Sequence, residues 1–458
     1  MNGNSLQVFD KLPKGWVLTT LGEALPILYG KALPEVKRDA TGNVPVYGSS
    51  GHVGQHSAAL TKKAALIIGR KGSAGEVHYS STPCWPIDTT YYAEEREGIE
   101  IRSFEYLLRG LNLGRLEKST AVPGLSRDDY NAVEVAIAPL GEQKEIVVEI
   151  EKQFSRLDET VTGLRRAKTN LKRYKAAVLK AAVEGKLTEQ WRKEHPDVEP
   201  AEKLLERILA ERRKKWEEVE LAKMKAQGKD PKDDKWKRKY REPDPPKPEE
   251  TFGIPDTWAW SNLGQLSWSV KDGPHYSPQY SETGIPFITG GNVRPEGIDF
   301  STAKYVTPGL HAELSKRCKP EHGDLLYTKG GTTGIARINT ETREFDVWVH
   351  VAVLKLVTLI ERFYLQHVLN SPFCHRQSQR YTHGVGNQDL GLTRMIWITV
   401  PIPPLQEQRV ILKEIEQRLS IVGDVEEQIA KNEKRGERLR QSVLKKAFSG
   451  RLVPQIKV

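Results

Sequence analysis

The hydrophobic pattern of the chain is dominated by two long segments in which apolar residues recur every three or four positions. Steps of three and four are typical of helices that pair along an apolar seam. The first seam contains Ile150, Phe154, Leu157, Val161, Leu164, Leu171 and Val178, and the second contains Ile415, Leu419, Val422, Ile429, Leu439 and Val443. We therefore predict two long coiled-coil helices with these residues as their pairing core.

Local signals delimit both helices. Each begins after a proline, Pro139 or Pro404, and each pattern fades at a glycine, Gly185 or Gly450. Proline is tolerated at a helix start, and glycine is a frequent helix stop. The middle of the second segment, KNEKRGE, lacks apolar residues and contains Gly436, so we expect helix continuity to be weaker there.

The two helical segments are copies of each other. Residues 139–190 align without a gap on residues 404–455, with 17 identities in 52 positions. A weaker similarity precedes them, between LPKGWVLTTLG from Leu12 and IPDTWAWSNLG from Ile254. The RKGSAG sequence at 70–75 also resembles KGGTTG at 329–334. The chain is therefore a duplication of one plan, a variable globular region followed by a long helix.

This duplication predicts the architecture. Short strands such as 64–68 and 351–357, with helices such as 103–111, indicate α/β (α+β) globular regions. We expect two such domains, separated by two antiparallel helices related by pseudo-twofold symmetry. The predicted segments are 1–140, 141–190, 191–250, 251–404 and 405–458. Two generic amphipathic helices inside a larger bundle are the alternative that periodicity alone leaves open.

The segment between the two copies has its own character. Residues 200–250 include 16 basic and 13 acidic side chains, and four prolines follow from Pro243 to Pro248. A helix over 201–227 has only a sparse apolar face, which predicts a solvated helical connector and an extended linker. A tail that binds nucleic acid is the alternative, which the mixed signs of charge disfavour.

Composition restricts the partners. Lys and Arg total 70 against 60 Asp and Glu, giving +10 and a pI near 9.2, which favours nucleic acid or an acidic membrane surface. The apolar stretch 347–360 is interrupted by His350 and Lys355 and is too short to cross a bilayer. The start of the chain lacks the pattern of a signal peptide, and the three cysteines form no CxxC pair. We therefore expect a cytoplasmic protein without a membrane partner.

Catalytic motifs are missing from the sequence. Each GK dipeptide is followed by Ala32, Leu187 or Asp230, whereas a phosphate-binding loop needs Ser or Thr there. The sequence from Asp244 to Lys247, DPPK, lacks the aromatic residue of the adenine-methyltransferase loop. His52 and His56 lie in a Gly/Ser-rich stretch without an HExxH motif. We expect no catalytic residue, no metal site and no cofactor.

Several sequences resemble a known family. AVPGLSRDDYNAVEVAIAPLGEQKEIV, leading to KAAVEGKLTEQWR, and VPIPPLQEQRVILKEIEQRL resemble the junctions between target-recognition domains and spacer helices in type I restriction-modification specificity subunits. The resemblance implies a non-catalytic subunit that reads a split double-stranded DNA target, one part per domain. It also implies assembly with two adenine-methyltransferase subunits and, in many members, two restriction subunits, which bind the methyl donor and ATP.

Polar and basic residues in glycine-rich or exposed stretches are the candidates for DNA contact, since Lys and Arg bind phosphates and Arg, Asn, Gln, Ser and Thr distinguish base edges. In the first domain they are Lys31, Arg70, Lys71, Ser73, Lys118, Ser119 and Arg127, and in the second Asn292, Arg294, Lys329, Thr332, Arg376, Arg380, Asn387 and Gln388. Two alternatives remain open: a self-contained DNA methyltransferase or nuclease of atypical sequence, and a coiled-coil scaffold that binds no DNA.

Overall fold

A computed structural model describes residues 12–116, 124–384 and 388–454. The chain divides into two compact units, one formed by residues 1–167 with 427–458 and the other by residues 168–426. Each unit combines one globular region with parts of both long helices. The expected mixed α/β class, with two globular regions and two long helices, is confirmed.

The first unit is built around a small antiparallel sheet with strand order β2-β8-β5-β6. A second sheet has the order β4-β3-β7, and β1 pairs with β9. The elements are β1 (Val17–Thr20), α1 (Leu21–Ala24), β2 (Leu28–Tyr29), β3 (Val44–Gly48), β4 (Gly51–His56), β5 (Ala65–Gly69), β6 (Val77–Ser80), β7 (Trp85–Pro86), β8 (Thr90–Glu94), α2 (Ile101–Leu111), α3 (Arg127–Asn131), β9 (Glu134–Ile137) and the first long helix, α4 (Leu140–Val183).

The second unit repeats this plan, with the sheet β11-β19-β16-β17 in the place of β2-β8-β5-β6. The sheet β15-β12-β18 and the pairs β10-β20 and β13-β14 complete it. The elements are α5 (Glu189–Glu194), α6 (Ala201–Ala226), β10 (Ala259–Asn262), α7 (Leu263–Leu266), β11 (Ser267–Asp272), β12 (Ile285–Ile288), β13 (Val293–Arg294), β14 (Gly297–Ile298), β15 (Lys304–Val306), α8 (Pro308–Arg317), β16 (Leu325–Thr328), β17 (Ala336–Ile338), β18 (Asp346–Val347), β19 (Val351–Leu356), α9 (Arg362–Leu369), α10 (Pro372–Tyr381), α11 (Leu392–Met395), β20 (Thr399–Ile402) and the second long helix, α12 (Leu405–Ala447).

The second long helix is continuous, although the sequence favoured a weak point at Gly436. Gly436 is buried, and an added Cβ there would lie 3.6 Å from a methyl group of Val161 on α4. The missing side chain therefore lets the two helices approach closely at this point. Asp158 on α4 pairs with Arg440 on α12, so the helices run antiparallel in the first unit.

The predicted seam residues mostly face inward. The buried ones are Ile150, Val178, Ile415, Val422, Ile429 and Val443, and the half-buried ones are Phe154, Leu157, Val161, Leu164, Leu171 and Leu419. Leu439 is a correction, since 43% of it is exposed. The guanidinium of the next residue, Arg440, instead lies 4.9 Å from the Phe154 ring centre, where it covers the ring and holds Asp158.

Both helices end two or three residues before the predicted glycines. Gly185 and Gly450 have φ angles of +71° and +68°, a left-handed conformation that glycine adopts without strain. The last turns before them enter hydrophobic cores. Val178 and Val183 pack in the core of the second unit, whereas their repeat equivalents Val443 and Phe448 pack in the core of the first. Each core is thus completed by the end of the helix that follows the other globular region.

The charged connector is partly integrated into the second unit. Ala201, Leu204 and Ile208 on α6 are buried in its main core, so the first turns of α6 are a packed element rather than a solvated one. Further along α6, the Arg212 guanidinium donates to the carbonyl oxygens of Gly264 and Ser267, both at 2.9 Å. No helix in the described part of the chain is long and apolar enough to cross a membrane.

A buried glutamate joins each long helix to the strand that begins its unit. The Trp16 indole N–H donates to Glu142 at 3.0 Å in the first unit, and the Trp258 indole donates to Glu407 at 2.8 Å in the second. Both carboxylates lie in the first turn of their helix, where the helix dipole favours negative charge. Glu407 also accepts from Arg192 and from the Thr188 hydroxyl, each at 2.6 Å.

The glutamine after each glutamate connects the same helix start to a second loop. The Gln143 amide donates to the Ala138 carbonyl at 2.8 Å, and its oxygen accepts from the Glu100 N–H at 2.8 Å. Gln408 makes the equivalent bonds to the Pro403 carbonyl and the Glu361 N–H, at 2.9 and 3.0 Å. The repeated Glu-Gln pair of the two junction sequences therefore satisfies buried backbone groups at both helix starts.

We predict that Glu407→Ala lowers the free energy of unfolding by about 3–5 kcal/mol, because the half-buried Arg192 loses its carboxylate partner and two further donors lose this acceptor. Glu142→Ala should cost about 1–3 kcal/mol, the loss expected when the buried Trp16 indole loses its acceptor. Urea denaturation of the whole chain, followed by tryptophan fluorescence, measures both. Equal losses for the two variants would contradict the additional role assigned to Arg192 and Thr188.

Candidate nucleic-acid interface

The two similar glycine-rich sequences form the same turn in the two units. Turn 1 (residues 70–75) connects β5 to β6, and turn 2 (residues 329–334) connects β16 to β17. The last glycine of each turn donates its N–H to the end of the preceding strand: Gly75 to the Gly69 carbonyl at 2.8 Å, and Gly334 to the Thr328 carbonyl at 3.0 Å. Gly75 and Gly334 have φ angles of +81° and +99°, which explains the requirement for glycine.

The first cation of turn 1 lies in an aromatic and basic cluster. The guanidinium groups of Arg70 and Arg127 lie 5.5 and 5.8 Å from the ring centre of Tyr29. Arg70 donates from Nη2 to the Asp88 carbonyl at 2.9 Å. The Nε atoms of both arginines are buried and have no hydrogen-bond partner among the described residues. Tyr29 is 53% exposed, so this cluster reaches the surface with two positive charges.

Burial raises the pKa of the neighbouring Tyr91 to about 12, and a hydrogen bond with Tyr29 acts in the same direction. The Tyr91 hydroxyl donates to the Leu125 carbonyl at 3.1 Å. This phenol therefore stays neutral at physiological pH and does not reduce the positive charge of the arginine pair.

The first cation of turn 2 is neutralised instead. Lys329 is only 2% exposed, and its ammonium lies 3.0 Å from an Asp389 oxygen and 3.4 Å from an Asp272 oxygen. Although burial opposes it, a hydrogen bond from Arg317 and the charge of Lys329 lower the pKa of Asp272. Lys329, predicted to contact DNA, is thus enclosed in an ion-pair network of its own unit, where a buried ammonium needs such partners.

The different environments of Arg70 and Lys329 follow in part from one position in the sheet. Tyr29 is opposite Tyr91 in the first unit, and Asp272 is opposite Ala352 in the second. Tyr91 in turn pairs with Ile68 on β5, and Ala352 pairs with Tyr327 on β16. Ile68 and Tyr327 are each the last but one residue of their strand. Tyr29 and Asp272 are therefore equivalent, and the exchange of an aromatic ring for a carboxylate changes the charge at the turn.

The other predicted DNA-contact residues are distributed as follows. In the first unit Lys31 and Lys71 are exposed and Ser73 is half-buried. In the second unit Arg294, Thr332, Arg376, Arg380 and Gln388 are exposed, with Arg376 and Arg380 on α10. Lys118, Ser119 and Asn387 lie outside the described residues.

Asn292 is committed to the structure of its own loop. It is 4% exposed, accepts from the Thr289 N–H at 2.8 Å, and donates to the Asp299 carbonyl at 2.9 Å. The bond with Thr289 belongs to a capping box, and the bond to Asp299 holds the other end of the amide, so the amide is engaged in local structure rather than available at the surface.

The described residues contain no group of three or more His, Cys, Asp or Glu side chains placed to hold a metal ion. His52 and His56 lie on strand β4, and not on a helix where a spacing of four would bring them together. The three cysteines are buried free thiols.

A recess in the second unit is lined by two residues that the sequence did not identify as candidates. In the second unit, Trp348 and His350 lie beside turn 2, together with Thr332 and Gln388. An alignment of the three residues directly before β8 with the three residues directly before β19 would have identified them. That alignment matches Trp348-Val349-His350 with Ile87-Asp88-Thr89. It is the same alignment that matches Asp272 with Tyr29.

We predict that Lys329→Met lowers the free energy of unfolding by about 3–5 kcal/mol, because it leaves buried Asp272 and its neighbour Asp389 without their shared cation. Lys271→Met, at an exposed lysine of the same strand region, should change it by less than about 0.5 kcal/mol. Thermal and urea unfolding of the whole chain provide the comparison. A stability change for Lys329→Met as small as that of its control would contradict the structural role.

Comparisons with known proteins agree with the duplicated plan. The family described as Type I restriction modification DNA specificity domain matches residues 13–170 and again residues 255–432. The Type I restriction enzyme EcoDI specificity subunit of Escherichia coli is 23% identical over 465 residues, covering 97% of this chain and 90% of that protein. The EcoBI specificity subunit of Escherichia coli is 24% identical, covering 85% of this chain and 74% of that protein.

A solved structure supports the fold. A chain from the work described as "Structural basis underlying complex assembly and conformational transition of the type I R-M system" matches with a TM-score of 0.61 at 17% identity, covering 96% of this chain and 99% of the other. At this identity the likeness concerns the fold alone. Because both halves of the sequence match the family and together span most of its length, the chain belongs to the type I restriction-modification DNA specificity family and contains its domain twice.

Proposed function

We propose that this chain is the DNA-specificity subunit of a type I restriction-modification complex, in which each unit reads one half of a bipartite double-stranded target. The observation that supports this most directly is the repetition of one turn in two units. Turn 1 and turn 2 share the backbone hydrogen bonds that connect their last glycine to the preceding strand but present different side chains, as two readers of different base sequences require.

The electrostatics support a duplex partner. The net charge of +10 favours association with phosphates. In the first unit, Arg70 and Arg127 supply guanidinium groups beside Tyr29 that form no ion pair with another described residue, and Lys71 is exposed on the same turn. Arginine contacts both phosphates and guanine edges, so this cluster is the proposed DNA contact of the first unit.

The second unit would use different groups. Since Lys329 is enclosed by two carboxylates, the proposed contacts are the exposed Thr332 and Gln388 beside turn 2, with Arg376 and Arg380 on α10. Asn387, Lys118 and Ser119 are also proposed to contact DNA, on the basis of the sequence alone. Asn292 and Lys329 are not proposed to contact DNA. Asn292 holds its loop in position, and Lys329 holds turn 2.

We propose that the paired helices set the number of unspecified base pairs between the two half-targets. Their continuity over 44 and 43 residues and their antiparallel pairing support this role. Two readers held at a fixed distance bind much more tightly than one, but only where the spacing of the half-targets fits.

The chain is proposed to be non-catalytic and to act with two methyltransferase subunits and with restriction subunits, as the family resemblance implies. The relatives are named specificity subunits of type I restriction enzymes, which supports a role in such an assembly. The methyl donor and ATP would then be bound by those subunits. The proposed compartment is the bacterial cytoplasm, which is consistent with three unpaired thiols.

Arg70→Ala and Arg127→Ala should each weaken target binding by the methyltransferase complex by about 1–3 kcal/mol, since each removes a charged contact to the half-target of the first unit. Fluorescence anisotropy at several salt concentrations measures the affinity and its salt dependence. Lys63→Ala, at the opposite end of β5, is the control and should bind like the unaltered complex. Unchanged affinity and salt dependence in both arginine variants would exclude the cluster from the interface.

Insertion of one heptad into both long helices, after Val161 and after Gly436, should lengthen the preferred spacer by about three base pairs. Seven helical residues span about 10 Å, and one base pair about 3.4 Å. Binding to a series of DNAs with different spacers measures the preference.

The control for the heptad insertion is a seven-residue insertion at exposed Gly228 in the connector, which should leave the preference unchanged. The same preferred spacer in the double-helix insertion and in the unaltered protein would refute the spacing role.

A further inference from the structure

We propose that Trp348 and His350 determine base preference in the half-target read by the second unit. The inference rests on the proposed function and assigns it to two side chains outside the predicted set. They lie beside turn 2 in a recess of about 530 Å³, whose lining includes Gly290, Gly291, Gly330 and Gly331. We call these four glycines the floor of the recess.

The floor of this recess is bare backbone for a physical reason. A Cβ on Gly330 would lie 2.0 Å from Nδ1 of His350, so the ring packs directly on the glycine. Gly331 has a φ angle of +71°, and an added Cβ there would meet nothing within 4 Å. A surface without side chains lets the edge of a duplex come close to the groups around it.

The two aromatic side chains are held in place around that floor. Their rings meet edge-on with centres 4.9 Å apart. The Trp348 indole donates to the Tyr276 carbonyl at 3.2 Å, and the His350 carbonyl accepts from the Lys329 N–H at 2.9 Å. Lys329 is itself held by ion pairs to Asp272 and Asp389, so the loop is hydrogen-bonded to a residue whose side chain is fixed by its own unit.

His350 is not used by the fold as a hydrogen-bonding group on its buried side. Its Nδ1 atom is buried and has no hydrogen-bond partner among the described residues. An unmet acceptor is less costly than an unmet donor, which favours a proton on the other ring nitrogen. That nitrogen would donate to an acceptor on a base edge, such as N7 or O6 of guanine in the major groove.

The first unit shows which feature of the loop is common and which is variable. The backbone N–H of Ile87 donates to the Tyr47 carbonyl, and the backbone N–H of Trp348 donates to the Ile288 carbonyl, both at 2.9 Å. The next bonds also correspond: Thr90 N–H to the Ile87 carbonyl at 3.0 Å, and Val351 N–H to the Trp348 carbonyl at 2.9 Å.

The connection to the glycine turn is equally shared. The Arg70 N–H donates to the Thr89 carbonyl at 2.9 Å, as the Lys329 N–H does to the His350 carbonyl. The backbone of the loop is therefore the same in both units, while Ile87 and Thr89 stand where the second unit has the two aromatic residues. Side chains that differ on a common backbone beside the turn are those expected to distinguish the two half-targets.

The experiment uses the methyltransferase complex with the whole chain and a library of duplexes in which both half-targets are randomised. The unaltered protein is compared with Trp348→Ile, His350→Thr, the double variant and His350→Gln. The double variant gives the second unit the side chains of the first, and His350→Gln retains a hydrogen-bonding group if the larger change disturbs folding. His322→Thr, at an exposed histidine of the same unit, is the matched control.

We expect the double variant to lose about tenfold discrimination at one or two base positions, all in the half-target that Arg70→Ala leaves unaffected. The control should show the unaltered profile. An unchanged profile in the double variant and His350→Gln, or a uniform loss of affinity for every sequence, would overturn the assignment. A library without any sequence preference for the unaltered complex would overturn the proposed function, and the assignment with it.

Discussion

The hydrogen bond between a buried tryptophan and a buried glutamate is the constraint on which both units depend. Trp16 and Trp258 precede the first strands of their globular regions, while Glu142 and Glu407 lie in the first turns of the long helices. A buried carboxylate must be satisfied, so the direction of each helix is fixed relative to the domain before it. The spacing role proposed for the helices requires this junction to be rigid.

The duplication keeps the backbone and changes the electrostatics. One sheet position holds Tyr29 in the first unit and Asp272 in the second, and this difference leaves Arg70 with an aromatic neighbour but encloses Lys329 in ion pairs. The same turn can therefore present a positive charge in one unit and a neutral, glycine-floored recess in the other. Two readers on one scaffold need this freedom, because base edges are distinguished by side chains rather than by the fold.

Local patterns predicted the elements well, because their causes are local. The helix predicted for 201–227 is observed as Ala201–Ala226, and the strands predicted near 64–68 and 351–357 are Ala65–Gly69 and Val351–Leu356. The helix stops at Gly185 and Gly450 follow from backbone conformation alone. The weak point expected at Gly436 is not observed. Helix propensity counts glycine as destabilising, whereas here the missing side chain allows Val161 to pack closely against the helix.

The sequence by itself determined the duplication, the two helices and their seam, the family, and the short list of residues suited to DNA, since repeats, periodicity and residue type are properties of a linear chain. Only the tertiary structure decided which of those residues are free to act. Asn292 and Lys329 were candidates for DNA contact from the sequence but are buried, whereas Trp348 and His350 were not among the candidates and lie beside the turn. The reason is that burial and ion pairing depend on neighbours such as Asp272 and Asp389, brought together across 117 residues of chain by the sheet.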